Sequence, residues 1–408
     1  MPHYTYLIIG GGMTADAAIG GIRQVDQNGA IGLISAEPHK PYNRPPLSKG
    51  LWQGEKLESI WRKTDSQGVE FHLGRKARTL DPRHKSVTDD QGTVYTFDKL
   101  LLATGGSPAR LPFGGDHIIY FRTLQDYERL RGLTEQVERF AVIGGGFIGS
   151  EIAAALATNG KKVALIFPRE GIGANIFPRE LSLFLNDFYR QKGVELLPEE
   201  FVVDAEAGKD RITLKTRSGQ TLPVDGVVAG IGIEPNIELA EAAGLELKNG
   251  ILADEFLRTK YPDIYAAGDV AAFYNPALGK LLRVEHEDNA NTMGRLAGQA
   301  MAGEPSAYHH LPFFYSDLFE LGYEAVGELD SRMDIVSNWK EPFREGVVYY
   351  LREGRVRGVL LWNVWGQVEA ARRLIAEPGP FRPEDLKRGC RKIIKSMNCS
   401  RKWNGSQK

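Results

Sequence analysis

The chain has 408 residues, and at roughly 100–200 residues per domain this length predicts two or three domains. Its hydrophobic content of 42% and charged content of 25% are those of a globular protein, which excludes disordered and fibrous classes. Lys and Arg number 51 against 52 Asp and Glu, and the resulting formal charge of −1 argues against nucleic-acid binding as the main task.

The two cysteines, Cys390 and Cys399, lie in the last twentieth of the sequence. Their placement excludes a disulfide scaffold and a redox-active Cys-x-x-Cys pair, and it is typical of a reducing cytoplasm. The sequence contains no run of about 18 uninterrupted apolar residues and so predicts no transmembrane helix. We therefore expect a cytoplasmic protein.

Two short apolar segments, residues 6–9 and 140–143, each lead into a glycine cluster and then into an alanine-rich segment. This pattern predicts a strand, a tight turn and a helix. Its first glycine permits the turn, its second lets a pyrophosphate approach, and its third small residue lets the helix pack closely. A single cluster of this kind is a weak signal, but two predict two bound dinucleotides. The small residues concerned are Gly10, Gly12 and Ala15 in the first cluster, and Gly144, Gly145, Gly146 and Gly149 in the second.

A second strand is predicted in each of these units. Residues 30–34 end near Glu37, which is placed to bond a ribose hydroxyl. Residues 162–167 are followed by both Arg169 and Glu170. An acid at this place favours NAD and an arginine favours NADP, so the choice between the two nucleotides stays open.

Two further apolar strands end in glycine and predict a return to the first dinucleotide domain. Residues 100–103 precede Thr104 and Gly105, and residues 227–229 precede the segment that contains Gly232. Asp269 follows a later short strand, where its carboxylate can accept hydrogen bonds from a ribityl chain.

From residue 312 the pattern becomes alternating and aromatic, which predicts an antiparallel hairpin at 346–351 and 356–362. The fold class predicted is α/β, with two Rossmann-like dinucleotide-binding domains and a C-terminal α+β domain that contains an antiparallel sheet. We expect the first dinucleotide domain at 1–110 and 234–311, the second at 111–233, the C-terminal domain at 312–380, and a solvated basic tail at 381–408.

The chain resembles the two-dinucleotide flavoprotein reductases, a family that includes ferredoxin, putidaredoxin and rubredoxin reductases. Within that family it is most similar to the apoptosis-inducing factors and their bacterial relatives. The residues that carry the resemblance extend over all three predicted domains and are 41–49, 143–151, 283–288, 315–318, 322–327 and 361–363.

The resemblance implies FAD in the outer domain and NAD(P)H in the inserted domain. The implied FAD-site residues are Gly10, Gly12, Glu37, Arg44, Lys49, Ala77, Arg122, Asp269, Glu285, His286 and Tyr315. The residues implied to line the nicotinamide nucleotide are Gly146, Phe147, Ile148, Glu151, Arg169, Gly232, Glu324 and Asn363.

Three of these residues are candidates for the catalytic centre. Taken alone, Lys49 reads as a surface cation and Glu151 as an ordinary acid in the first turn of a helix. The resemblance implies instead that they form a charge pair beside the flavin. Phe147 either packs between helix and domain or covers the flavin until nicotinamide displaces it. His286 lies between acids, but side chains at adjacent positions point in different directions, so no metal site is predicted.

These observations predict hydride transfer from NAD(P)H to FAD, with both rings stacked between the two domains. Because no Cys-x-x-Cys relay is present, we expect electrons to leave for an external acceptor, a ferredoxin-type protein or a small molecule. An alternative is a redox-responsive protein in which a long-lived reduced complex with NAD controls oligomerisation or partner binding. The short segment 331–346 lacks the long acidic insertion of the mitochondrial apoptosis-inducing factor and argues against this alternative. A homodimer is possible in either case.

Overall fold

The computed structural model describes residues 1–209 and 211–387. They form two compact units, the first made of Met1–Ile172 and Leu185–Pro312, the second of Gly173–Phe184 and the residues from 313 onward. The predicted division of the first unit into two dinucleotide domains stays a prediction. Cys390, Cys399 and most of the predicted basic tail lie outside the described residues, whereas Leu386, near the start of that tail, is buried. None of the helices described here is long and apolar enough to cross a membrane.

The first unit contains most of the regular structure. Its strands are β1 His3–Ile9, β2 Ile31–Ser35, β3 Val69–Leu73, β4 Ala77–Asp81, β5 Ser86–Asp89, β6 Val94–Leu102, β7 Gly106–Pro108, β8 Ile118–Tyr120, β9 Arg139–Ile143, β10 Lys162–Ile166, β11 Val194–Leu197, β12 Val202–Ala207, β13 Ile212–Thr216, β14 Thr221–Val224, β15 Gly226–Ala229, β16 Ile233–Pro235, β17 Ile251–Leu252, β18 Ile264–Ala266, β19 Ala271–Asn275 and β20 Lys280–Leu282. The helices are α1 Met13–Val25, α2 Leu124–Thr134, α3 Phe147–Thr158, α4 Arg179–Gln191 (which begins in the second unit), α5 Glu238–Ala242 and α6 Glu287–Met301. Short 3-10 helices follow β2 at Pro45–Ser48, Gly50–Trp52, Leu57–Ile60 and Thr64–Gln67.

Two sheets with corresponding parallel strands lie in this unit, and the first also carries the antiparallel strands β5 and β4 beside β6. Their strand orders are β3-β2-β1-β6-β18 and β11-β10-β9-β15-β8. In each sheet the central strand, β1 or β9, runs into a glycine cluster and then a helix, and an antiparallel meander precedes the returning strand, β6 or β15. The predicted pair of Rossmann-like sheets is therefore confirmed.

The return strand predicted at 100–103 is the last part of a longer strand, β6. The first half of β6 pairs antiparallel with β5, and only its second half lies beside β18. The two nearly continuous apolar segments, β1 and the end of β6, are buried because parallel sheets carry helices on their faces.

Close packing between α1 and α6 fixes the position of the N-terminus of α6. A Cβ at Gly21 of α1 would lie 2.1 Å from the carbonyl oxygen of Arg295, and one at Gly298 of α6 would lie 2.0 Å from that of Ala18. Only small residues allow two helices to approach this closely. The second half of α6, whose N-cap is His286, is thereby held against α1.

The second unit is an antiparallel sheet with one helix. Its strands are β21 Phe313–Leu318, β22 Leu321–Gly327, β23 Asp334–Glu341, β24 Glu345–Arg352 and β25 Arg355–Trp362, in the order β21-β22-β25-β24-β23, and its helix is α7 Val368–Ala376. Glu353 and Gly354 both have positive φ, as a two-residue turn that matches strand twist requires. The predicted hairpin and its antiparallel sheet are confirmed.

The segment Gly173–Phe184 belongs to the second unit although it follows β10 of the first, and the sequence analysis did not anticipate this. Phe177 makes edge contacts with Tyr323 and Trp362, whose rings stack on each other at 5.7 Å. The carbonyls of Ala174 and Asn175 accept hydrogen bonds from the hydroxyl and the backbone of Ser331 at 2.7 and 3.0 Å.

Candidate functional site

Both glycine clusters have the same backbone geometry. Gly10 and Gly144 have φ of +114° and +113°, and a Cβ on either would lie within 2.4 Å of a carbonyl oxygen on the returning strand's loop, that of Ala103 or Gly230. Only glycine fits these two positions without strain. Gly12 and Gly146 are the glycines beside which the pyrophosphate is expected to lie. A Cβ added to either of them would meet no described heavy atom within 4 Å.

The two open positions lie at the N-termini of α1 and α3, as their N-cap residues. Helix N-termini present unpaired backbone N–H groups and a positive dipole end to an anion. The space beside Gly12 and Gly146 therefore fits the pyrophosphate of a dinucleotide. The remaining small residues of the clusters support the packing: Ala15 is buried, Gly145 faces the Phe167 ring, and a Cβ at Gly149 would lie 1.8 Å from the carbonyl oxygen of Gly144.

Glu37, just beyond the end of β2, forms an ion pair with Arg44. The hydroxyl of Tyr42 donates to the other Glu37 oxygen at 2.6 Å, and Arg44 also donates to the carbonyl oxygen of Arg122 at 3.0 Å. Burial alone would raise the pKa of Glu37, but the positive charge of Arg44 and the Tyr42 hydrogen bond outweigh it and lower this pKa. Glu37 is therefore an anion held in a fixed orientation, as an acceptor for ribose hydroxyls must be.

Asp269 is held from two sides. Arg122 Nη2 lies 2.9 Å from its carboxylate, and Arg283 Nη1 donates to its backbone carbonyl at 3.0 Å. Arg283 Nη2 also lies 2.6 Å from the carboxylate of Glu285, whose pKa is raised by burial although Arg283 opposes this effect. A Cβ on the neighbouring Gly268 would lie 2.2 Å from the Thr14 hydroxyl, so the backbone next to Asp269 lies against the first turn of α1.

These contacts are continuous. We use the term ionic chain for the six residues Glu37, Arg44, Arg122, Asp269, Arg283 and Glu285, which three ion pairs and two hydrogen bonds to main-chain carbonyls connect. Three carboxylates and three guanidinium groups make up the ionic chain, so its formal charge is zero.

Lys49 and Glu151 form a buried ion pair, with 12% and 3% of the two side chains exposed. The hydroxyl of Ser48 donates to the second oxygen of Glu151 at 2.6 Å. Ser48 ends a 3-10 helix and Glu151 lies in the second turn of α3, so this contact joins segments 103 residues apart. The pair implied by the family resemblance is present.

Phe147 is the first residue of α3, and its ring is partly exposed. It makes an edge contact with the imidazole of His286 at 6.2 Å between ring centroids. Burial lowers the pKa of His286 to about 4, so the imidazole is neutral at pH 7. The contact joins the second glycine cluster to the N-terminus of α6, one residue away from the ionic chain at Glu285.

The other predicted residues are dispersed. Thr104 and Gly105 hydrogen-bond to Asn236, Gly232 has a φ of +106° with open space beside it, and Arg169, Glu170 and Ile148 are exposed. Ala77 begins β4, opposite Asp89, and no hydrogen bond, ion pair or ring contact described here joins it to the residues above.

Tyr315, Glu324 and Asn363 all belong to the second unit. Tyr315 and Glu324 are register partners on β21 and β22. The side-chain oxygen of Asn363 accepts from the backbone of Gly322 at 2.8 Å, and its amide nitrogen donates to the carbonyl of Arg344 at 2.8 Å. The Asn363 amide therefore ties β22 to the loop between β23 and β24.

Sequence reasoning named neither Ser48, Arg283 nor Asn236 as a site residue. Ser48 and Arg283 lie inside the motifs that carry the resemblance, which was the available signal. Asn236 forms hydrogen bonds with Thr104 and Gly105, which lie 132 and 131 positions earlier in the sequence. No local pattern predicts a contact over such a distance.

Comparison with known proteins places this geometry in a family. Residues 4–294 match the family described as pyridine nucleotide-disulphide oxidoreductase. The chain belongs to that family. Residues 297–342 and 337–377 match the C-terminal domain of the mitochondrion-associated apoptosis-inducing factor.

Individual relatives agree with this assignment. The 5,5'-dehydrodivanillate O-demethylase ferredoxin reductase subunit of Sphingobium sp. is 37% identical over 87% of this chain and 89% of its own length. Mitochondrial apoptosis-inducing factor 1 of Dictyostelium discoideum is 33% identical over 91% of this chain and 78% of its own. In the covalent putidaredoxin reductase–putidaredoxin complex, a chain with 29% identity superposes with a TM-score of 0.89 over 98% of this chain and 99% of that one.

The resemblance stated from the sequence is thereby confirmed. This pyridine nucleotide-disulphide oxidoreductase is an FAD-dependent NAD(P)H oxidoreductase. The open glycine positions at two helix N-termini and the anionic Glu37 fit two dinucleotides.

Proposed function

We propose that this oxidoreductase carries electrons from NAD(P)H through FAD to a small iron–sulfur protein of the ferredoxin type. Support comes from the relative that is a ferredoxin reductase subunit and from the structural neighbour in complex with putidaredoxin. The observation in this chain that carries the proposal is that both glycine clusters lie within one unit while its only cysteines, Cys390 and Cys399, form no Cys-x-x-Cys pair. Without a Cys-x-x-Cys relay, electrons leave for an external acceptor.

The first glycine cluster and the ionic chain would hold FAD. Gly10 and Gly12 admit its pyrophosphate to the N-terminus of α1, and Glu37 accepts from its ribose. Asp269, held by Arg122, accepts from the ribityl chain. Glu285 and His286 line the ring system at the N-terminus of α6, and Ala77, Thr104, Gly105 and Tyr315 remain further candidates for contact with FAD.

The second cluster would hold NAD(P)H. Gly144 to Gly149 form the turn, and Arg169 or Glu170 meets the adenosine ribose. Gly232 leaves room for the nicotinamide half, and Ile148, Glu324 and Asn363 remain candidates for contact with the nucleotide. The exposed ring of Phe147 covers the site between turnovers and moves aside when nicotinamide enters.

Bound FAD supplies two-electron exchange with a nicotinamide and one-electron exchange with an iron–sulfur carrier. Lys49 and Glu151 orient the two rings, and the Lys49 ammonium offsets negative charge that develops beside it. Ser48 fixes the Glu151 carboxylate in the position that pairs with Lys49. Neutral His286 places no positive charge in competition with Lys49.

Stopped-flow spectroscopy on the FAD-loaded protein tests the proposal. The protein is first reduced with one equivalent of NADH or NADPH under anaerobic conditions. Reoxidation at 450 nm is then followed with a panel of ferredoxins and, in parallel, with quinones. We expect at least one ferredoxin to be reduced much faster than oxygen is. Acceleration by quinones alone would instead establish a small-molecule acceptor and refute the proposal.

A redox-responsive binding protein is a second candidate, favoured by the match of residues 297–377 to the C-terminal domain of apoptosis-inducing factor. It requires slow reoxidation and an oligomer that changes on reduction. Analytical ultracentrifugation with and without NADH distinguishes this function, because an unchanged sedimentation coefficient eliminates the switch.

A further inference from the structure

Arg283 occupies an unusual position within the ionic chain. It follows β20, its side chain is only 10% exposed, and it connects two parts of the unit that are separated in the fold. One nitrogen donates to the backbone carbonyl of Asp269, which lies in the loop after β18, and another bonds Glu285, two residues before α6. No other residue of the ionic chain binds both of these segments through one side chain.

The contact with Asp269 is to its main chain. Arg122 holds the Asp269 carboxylate, whereas Arg283 holds the peptide group that carries it. Arg283 can therefore set where the carboxylate lies without competing for the oxygens that a ligand would use. The same guanidinium restrains Glu285 and offsets its negative charge.

Stability alone does not account for this arrangement. Arg283 Nε is buried and has no hydrogen-bond partner among the described residues, which costs folding free energy. The aliphatic part of the side chain is tightly enclosed, since a Cβ on Gly250 would lie 3.0 Å from Arg283 Cδ. The guanidinium is thus held where it reaches Asp269 and Glu285 at once, although one of its donors stays unpaired.

We propose that Arg283 is a positioning residue for the FAD site, one that fixes the Asp269 loop relative to Glu285 and balances the charge of Glu285 beside the ring system. The inference rests on the proposed placement of FAD between these two residues. Only a guanidinium group can hold both acceptors, because its two terminal nitrogens donate in different directions. A lysine ammonium supplies one point of charge and cannot reach both acceptors in the same geometry.

Two substitutions separate the two parts of the role. Arg283→Gln removes both the positive charge and the guanidinium group. We expect the dissociation constant for FAD to rise at least about tenfold. The uncompensated Glu285 carboxylate also disfavours added electrons, so the midpoint potential should become more negative than in the wild type. Arg283→Lys keeps the charge, and we expect it to restore most of the potential while FAD binding stays weaker.

Arg23→Gln is the matched control. Arg23 is also partly buried and donates to several carbonyl oxygens, including those of Gln67 at 2.8 Å and Gly29 at 2.9 Å, but it lies in the last turn of α1, at the opposite end from the glycine cluster. We expect Arg23→Gln to lower the melting temperature of the apoprotein while the FAD dissociation constant and the potential stay at wild-type values.

The measurements are fluorescence titration of the apoprotein with FAD, spectroelectrochemical titration of the loaded protein, and thermal melting by circular dichroism. A melting temperature that falls in Arg283→Gln while affinity and potential do not change would show a structural role only and overturn the inference. If Arg283→Gln does not fold, Arg283→Lys decides, since wild-type FAD affinity in that variant also overturns it. A wild-type protein that fails to bind FAD would instead refute the proposed function, so the two failures are distinguishable.

Discussion

An alanine substitution at Gly12 separates cofactor binding from folding. Gly12 has φ −92° and ψ −169°, an extended conformation that any residue adopts, and its Cβ direction is open. Replacing such a glycine by alanine removes conformational freedom from the unfolded chain and stabilises a protein by about 0.4–1 kcal/mol. We therefore expect the Gly12→Ala apoprotein to melt at the wild-type temperature or slightly above it.

The affinity for FAD, by contrast, should fall in the Gly12→Ala variant. The added methyl group occupies space that the pyrophosphate needs to approach the N-terminus of α1. One extra methyl group in a well-packed contact costs about 1–3 kcal/mol, which corresponds to roughly 5- to 150-fold weaker binding at 25 °C. Fluorescence titration of the apoprotein with FAD measures this loss directly.

The second cluster supplies the matched variant. Gly146 has φ −86° and ψ −163°, and its Cβ direction is equally open. Gly146→Ala should leave FAD affinity unchanged and weaken NADH or NADPH binding by a similar factor. Gly10→Ala is the folding control, because a φ of +114° and a contact of 2.0 Å to the Ala103 carbonyl should lower the stability of the apoprotein itself. Wild-type FAD affinity in Gly12→Ala, or loss of FAD in Gly146→Ala, would refute the assignment of the two loops.

Three further predictions concern other residues. Burial alone would raise the pKa of Asp89, but hydrogen bonds, with Arg75 the strongest donor, lower it to about 2. As the pH falls, the unfolded chain therefore protonates this carboxylate before the folded protein does, and stability is lost. In acid titration followed by circular dichroism, Asp89→Asn should flatten this loss of stability between about pH 4 and 2. Lys49→Met or Glu151→Leu alone leaves a buried charge and should cost about 3–5 kcal/mol, whereas the double variant should be more stable than either in a thermal-melting cycle. Asn363→Ala removes the two side-chain hydrogen bonds to the backbone of Gly322 and Arg344 and should lower stability by about 1–3 kcal/mol in denaturant titrations.

The parts of the fold that sequence predicted are those set by local pattern. Both strand–glycine–helix units, the strand ahead of Glu37 and the hairpin around Glu353 depend on residues within about ten positions of each other. Few residue types other than glycine adopt a φ near +114° or two consecutive positive φ values in a turn. The residue types at these positions therefore predict the local backbone conformation directly.

The contacts within the site are of another kind. Ser48 meets Glu151 across 103 residues and Arg122 meets Asp269 across 147, and no periodicity connects such pairs. The resemblance named Lys49 and Glu151 as a pair, but it named Arg122 and Asp269 without their contact and gave Arg283 no role in the site. No local pattern predicts that residues 173–184 belong to the second unit. Their placement depends on contacts between the Phe177 ring and two rings more than 140 positions away.

The two dinucleotide sites share a backbone, yet their surroundings differ in a way that bears on their use. Glu37 at the first site is largely buried and is fixed by Arg44 and Tyr42, whereas Arg169 and Glu170 at the corresponding place in the second site are exposed. Preorganised, desolvated partners slow the escape of a ligand, and exposed ones let it exchange. This difference supports the proposed assignment of a resident FAD to the first site and an exchanging NAD(P)H to the second.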